Sequence, residues 1–405
     1  MKIDRRTFLQ SSLGMAAGTL TGEWWPTPVS CGSMVSRSAG AAAKASPTLH
    51  LENVSASPIR IQSVEVLRAR GRLYVASTSS EGAVGVVAAN SRLVHCLSLL
   101  KHLVIPYFVG KDARDLESLV DGVYTEGSNY KYAGMPFWNC VAHVELSLFD
   151  MLGKMANQPV GALVGKVIRR AVPVYLSSLT RETTPEEEVD RMVASLSKTN
   201  ARAVKLKIGG RMKNRPRDAE RTNRLVPLAR KTFGDDVVIY VDSNGSYTSA
   251  EAIEVGRMLQ EHRVGFFEEP CPWQEYEETR RVADALTIPV AGGEQDTSLA
   301  QFEWMVRHRV VDLVQPDLYY NGGLIRCLRV ARMAAKAGIN ITPHSPKSGP
   351  EAAAMLHFAS VVPNLGPHQE YTPSNEIEDG RVKVPSGPGL GAGPDPEELR
   401  RAEIV

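Results

Sequence analysis

Residues 237–270 read VVIYVDSNGSYTSAEAIEVGRMLQEHRVGFFEEP, and they contain one complete structural repeat. The apolar run Val237–Asp242 has the content of a strand. Thr248, followed three residues on by Glu251, forms a capping box and predicts a helix start. A second apolar run then ends at Gly265–Glu268. Each strand delivers a carboxylate at its end, Asp242 on the first and Glu268 on the second.

The same cadence extends in both directions at a spacing near 26 residues. The further strand candidates are Val172–Leu176, Ala203–Ile208, Pro289–Ala291, Leu313–Gln315, Asn340–Thr342 and Pro367–Glu370. Helical patterns lie between them. One opens with Thr184-Pro185-Glu186-Glu187, a cap, a first-turn proline and a capping-box glutamate, ahead of Val189, Met192, Val193 and Leu196. Eight strands alternating with seven helices predict an α/β fold, a modified (β/α)7β TIM-type barrel over 171–370. A doubly wound open sheet is the alternative. Before it, 58–170 reads as an α+β region. Its strands are Ile61–Arg70, Tyr74–Ser77 and Ala83–Ala88, and its helices run over Asp115–Tyr124 and about Asn139–Met155. The segment 371–405 is Gly/Pro-rich at its start and closes the chain.

The chain has 405 residues, 43% of them hydrophobic, enough for a large core. With 47 Lys and Arg against 45 Asp and Glu, it has no basic field for nucleic acid. No run reaches the roughly 18–20 apolar residues of a membrane span. Residues 1–45 stand apart. Arg5-Arg6-Thr7-Phe8-Leu9 precedes a mild apolar run, Ser11–Leu20, and a Ser/Ala/Pro linker, as in a twin-arginine export signal. This predicts a periplasmic or other extracytoplasmic location. Pro28 makes Cys31 a poor lipid-attachment site. The five cysteines form no Cys-x-x-Cys pair, so buried reduced thiols are expected rather than a zinc ribbon or a disulfide framework.

Chemistry on such barrels sits at the C-terminal strand ends. Those ends carry Lys205 and Lys207, then Asp242, Glu268, Glu294, Asp317, His344 and Glu370. Asp242, Glu268 and Glu294 are spaced by 26 and 26 residues, one repeat each. Three converging carboxylates raise one another's pKa and oppose folding unless a cation compensates them. All-oxygen ligation without cysteine favours Mg²⁺. Lys205 and Lys207 share one face of their strand, where two close ammonium groups would depress each other's pKa and prepare a base. Asp317 and His344 are candidates for a carboxylate–imidazole pair. Glu370 is a candidate for a protonated acid that donates to a developing oxyanion.

These residues, together with the stretch Val141–Gly165, the run Gly293-Glu294-Gln295-Asp296 and the closing Pro388-Gly389-Leu390-Gly391, resemble the enolase superfamily and its mandelate racemase-like subgroup. The resemblance covers roughly Ile59–Leu390. It implies that 58–170 is a capping domain to which 371–405 returns. It also implies one Mg²⁺ per subunit on Asp242, Glu268 and Glu294, with Lys207 as base on one substrate face. His344, paired with Asp317, would be the acid/base on the other. Lys205 would neutralise the substrate carboxylate, Asn244 would contact substrate, and Glu370 would stabilise an enediolate. Muconate-lactonizing and dipeptide-epimerase relatives carry a lysine where this chain has Asp317, which sets them aside. The implied reaction is dehydration of an acid sugar to a 2-keto-3-deoxy acid. A racemase or epimerase of an α-hydroxy acid is one alternative, and a non-catalytic, metal-dependent sugar-acid binder is another. Specificity loops are expected at Ser77–Gly85 and around Tyr130-Lys131-Tyr132, in a homo-oligomer.

Overall fold

Three antiparallel strands, β1 (Ile61–Ala69), β2 (Arg72–Ser79) and β3 (Val84–Ala88), open the folded part of the chain. The structure is a computed structural model, and it describes residues 49–394 and 396–405. The export segment expected at 1–45, with Cys31, lies outside the described residues. Along β1 the apolar positions Ile61, Val64 and Val66 turn inward while Gln62 is exposed. These strands pack on the helix Met135–Met155, which is buried from Phe137 to Gly153. The approach at Gly85 is so close that a Cβ there would lie 2.0 Å from the Ser147 carbonyl, so only glycine lets β3 rest on the helix backbone.

The repeats that follow form a parallel sheet of eight strands. They are β4 (Ala171–Ser177), β5 (Ala203–Lys207), β6 (Val238–Asp242), β7 (Phe267–Glu268), β8 (Val290–Gly292), β9 (Leu313–Val314), β10 (Asn340–Ile341) and β11 (Gln369–Tyr371). Neighbours pair in sequence order from β4 to β10, and β11 pairs in parallel with β4. A bridge between Ile341 and Leu365 links β10 to the segment leading into β11 and completes the ring. Seven helices lie between the strands, beginning with Pro185–Thr199 and ending with Ala353–Val361. The predicted capping boxes Thr184–Glu187 and Thr248–Glu251 are both formed. A hairpin of β12 (Ile377–Glu378) and β13 (Arg381–Lys383) lies against the start of β4, and β14 (Glu403–Ile404) pairs with β1.

Tyr175, Ala203, Tyr240, Phe266, Ala291 and Leu313 fill the lower barrel as one buried cluster, with Tyr240 and Phe266 stacked at 4.0 Å between ring centres. The barrel is therefore plugged, and everything polar must sit above this layer. Cys96, Cys140, Cys271 and Cys327 are free and buried. Among the described residues no helix is long and apolar enough to cross a membrane.

Candidate active site

Side chains alternate along a strand, so the residue two beyond each member of the aromatic layer rises into the next layer. Ser177 follows Tyr175, Lys205 and then Lys207 follow Ala203, Asp242 follows Tyr240, Glu268 follows Phe266, and Gln315 follows Leu313. The parallel register sets Lys207 beside Asp242, and Asp242 beside Glu268.

Lys205 is fully buried, which an ammonium tolerates only with partners. Its Nζ lies 3.0 and 2.8 Å from the Glu268 oxygens, 2.7 Å from Glu370 Oε1 and 3.8 Å from Asp242 Oδ2. Burial works against its charge, but Glu268 and Glu370 prevail and hold Lys205 well above the usual lysine range. The depression expected of Lys205 from its neighbouring lysine is thus reversed, because the carboxylates stand closer. Lys207 Nζ is ion-paired with Asp242 Oδ2 and lies 3.3 Å from Asn244 Oδ1. Burial opposes ionisation of Asp242, yet Lys207, Lys205 and Arg181 hold its carboxyl below the ordinary range.

His344 Nδ1 stands 2.7 Å from Glu294 Oε2 and 3.1 Å from Glu370 Oε2. Burial disfavours the imidazolium, but Glu294 and then Glu370 hold the ring well above its usual pKa. Asp317 is not its side-chain partner. Their backbones bridge, but the Asp317 carboxylate accepts from the Tyr319 and Tyr320 N–H groups at 2.7 and 3.1 Å and pairs with Lys347 Nζ at 3.3 Å. The tight turn after β9 captures the short aspartate before it can reach across.

Glu370 is also placed differently from the expected proton donor. Burial raises it, but Lys205 and His344 hold it well below the carboxylate range. It accepts from Ser177 Oγ and from the Ser345 N–H, each at 2.8 Å. Burial pushes Glu268 up to about 8, with Lys205 pulling it down and Asp242, Glu370 and Glu294 adding to the rise. Gln315 Nε2 donates to Glu268 Oε2 at 2.9 Å.

Of the expected metal trio, Glu268 and Glu294 come together with His344, one ligand atom of each lying within 4.8 Å of the others. Asp242 is adjacent but turned to the two lysines. The buried Glu269 Oε1 has no hydrogen-bond partner, a condition that a bound cation relieves. With carboxylate donors and no thiolate, this set fits a hard divalent ion. Glu269 was not singled out from the sequence. Its φ of 42°, like the 43° of Asn244, places a non-glycine residue in the left-handed region at the mouth of the site. Burial, Glu294 and Asp242 push the Glu269 carboxyl well above its usual range. The amide of Asn244 is engaged by Arg181 at 3.0 Å and by Glu269 at 3.1 Å.

Above these groups opens a cleft of about 460 Å³, whose walls include Lys207, Asn244, Glu294, His344, Trp273, Tyr320 and Arg92. The expected specificity loops do not line it. Ser77 is buried against Ser147, and Tyr130 lies beside Tyr124. Arg92, on the segment after β3, reaches the cleft instead.

A plugged (β/α)7β barrel with acid–base groups gathered at its strand ends defines a class of barrel enzyme. The profile of the family described as "Enolase C-terminal domain-like" matches residues 186–399. The chain belongs to the enolase superfamily, in its mandelate racemase-like subgroup, and is an enzyme of the lyase or racemase kind. It is 28% identical over 334 residues to arabinonate dehydratase of Saccharolobus solfataricus, covering 79% of this chain and 88% of that protein. It is 28% identical over 291 residues to L-talarate/galactarate dehydratase of Salmonella typhimurium, 70% of each. The solved structure of a mandelate racemase/muconate lactonizing protein from Paracoccus denitrificans complexed with magnesium superposes with a TM-score of 0.79. It is 25% identical and covers 86% of this chain and 99% of that one.

Proposed function

We propose that this protein is a Mg²⁺-dependent acid-sugar dehydratase, converting an acid sugar to a 2-keto-3-deoxy acid. The observation that carries the reading is that Lys207 and His344 line one cleft with the carboxylate cluster between them, Asp242 against Lys207 and Glu294 against His344. The named dehydratases among its relatives support the same reaction. Asp242, Glu268 and Glu294 would hold the ion. When bound, Mg²⁺ stabilises charge that develops on the substrate carboxylate.

The residues do the rest. Lys205, charged and buried beside Glu268, neutralises the carboxylate end of the substrate. Lys207 takes the α-proton, and the electron pair moves into the carboxylate to give an enediolate. His344, held protonated by Glu294 and Glu370, gives its proton to the β-hydroxyl as the C–O bond breaks and water leaves. The resulting enol then tautomerises to the 2-keto acid. A second reading, racemisation, shares the first step and returns a proton from the opposite face, in keeping with the racemase named among the neighbours. Part of the proposal is export through the Arg5-Arg6 signal, which cell fractionation of the full chain tests.

The experiment is a panel of aldonic and aldaric acids with Mg²⁺, assayed for 2-keto acid and for solvent-deuterium exchange at the α-carbon. Lys207→Ala and His344→Asn should each lose roughly 100-fold or more in turnover while remaining folded. Exchange without 2-keto acid would favour the racemase. Binding with no exchange would leave only a sugar-acid binder.

A further inference from the structure

We infer that Arg92 reads the far end of the substrate and that this end carries a second carboxylate, so that the chain acts on an aldaric rather than an aldonic acid. The inference rests on the acid-sugar reading above. Arg92 shares the cleft with Lys207, Glu294 and His344 but comes from the segment after β3, not from the barrel. Its Nε donates to Tyr320 Oη at 2.6 Å, and its Cζ lies 5.5 Å from the centre of the Tyr320 ring. That ring is 6.4 Å from the His344 ring. The Tyr320 ring thus neighbours both the guanidinium and the acid/base group, and all three line the one cleft.

What is left free defines the ligand. A guanidinium has five N–H donors in a planar fork. Tyr320 takes the one on Nε, while Nη1 and Nη2 have no hydrogen bond or ion pair among the described residues. Their shared edge matches a carboxylate with two parallel bonds, whereas a terminal hydroxymethyl group offers a single oxygen and no charge. The segment is also held in place. Asn90 Oδ1 accepts from the Arg92 N–H at 3.1 Å, Asn90 Nδ2 donates to Asn139 Oδ1 at 2.7 Å, and the Asn90 N–H donates to His143 Nε2 at 3.2 Å. Arg211 adds a second cation to the same cleft. Asp317 and Glu294 lie near enough to act on the Arg92 charge, but among the described residues neither forms an ion pair with it, since Asp317 pairs with Lys347 and Glu294 with His344.

The test compares kcat/KM of the full-length enzyme with Mg²⁺ on pairs of acids that differ only at the far terminus, such as galactarate and galactonate. Binding of the same pairs, measured by calorimetry, gives a second readout. The native enzyme should prefer the diacid. Arg92→Met should reduce that preference at least roughly tenfold, mainly through KM, and Arg92→Lys, which keeps charge but loses the fork, should fall between. Arg92 is exposed, so the variants should fold, and thermal unfolding checks this. A native preference for monoacids, or a ratio unchanged in Arg92→Met while turnover persists, overturns the inference and leaves the dehydratase reading standing. Absence of turnover and exchange with every acid overturns both.

Discussion

His143 lies fully buried on the Met135–Met155 helix, with Nδ1 facing the Asn139 carbonyl at 2.6 Å and Nε2 accepting from the Asn90 N–H at 3.2 Å. Burial holds its pKa down, to about 4. The folded protein therefore keeps the ring neutral, while the unfolded chain protonates it near pH 6.5. Its contribution is complete above about pH 6.5 and is lost as pH falls toward 4, about 3 kcal/mol in all. His143→Gln should be less stable at pH 7.5 but should lose less on acidification. Urea midpoints at pH 7.5 and pH 5 check this, and identical acid losses in both proteins would count against it. At this scale the sequence marked which residue types stand at strand ends, but not whom they touch. Asp317 and His344 sit on successive strands as read, yet two backbone N–H groups and Lys347 claim the aspartate. Nothing in a linear pattern shows that competition.

Helix starts were legible at Thr184 and Thr248, where a cap and its partner lie three residues apart. The helix Leu324–Lys336 begins differently. Its cap is Glu145, 179 and 180 residues away in sequence, which accepts from the Leu324 and Ile325 N–H groups at 2.6 and 3.0 Å. Gly323, with φ 108°, admits the carboxylate, since a Cβ there would lie 1.9 Å from Glu145 Oε2. Burial pushes Glu145 up to about 8 against the pull of those donors. Glu145→Ala leaves two buried N–H groups unsatisfied and should lower stability by about 1–3 kcal/mol. Thr248→Ala, at an exposed cap, should lower it by about 1 kcal/mol. Denaturant midpoints with unchanged m-values check both, and equal losses would contradict the assigned difference in burial.

For the whole molecule, the packed carboxylates tie stability to an ion. Glu268, Glu294, Glu370 and Asp242 crowd around two lysines and one histidine, and the buried Glu269 Oε1 beside them lacks a partner. An ion bound only by the folded state stabilises it by about 2.7 kcal/mol at 100 times its Kd. Mg²⁺ should therefore raise Tm, EDTA should reverse the rise, and Asp242→Asn should shrink it. A Tm indifferent to Mg²⁺ would remove the ion from the proposal without reference to catalysis.

From the repeat period and the strand-end residues, the chain already pointed to eight strands alternating with seven helices, a barrel with a doubly wound sheet as the alternative, and to Lys205, Asp242, Glu268 and Glu370 at the strand ends. Those follow from local rules, the alternation of side chains and the capping of helices, which act over a few residues. Only the tertiary structure decided that Lys205 is fixed as a cation, that Glu370 accepts rather than donates, that His344 turns to Glu294, and that Arg92 enters the cleft. Each depends on which charge lies nearest in a low-dielectric interior, and that distance is set by strands and loops far apart in the chain.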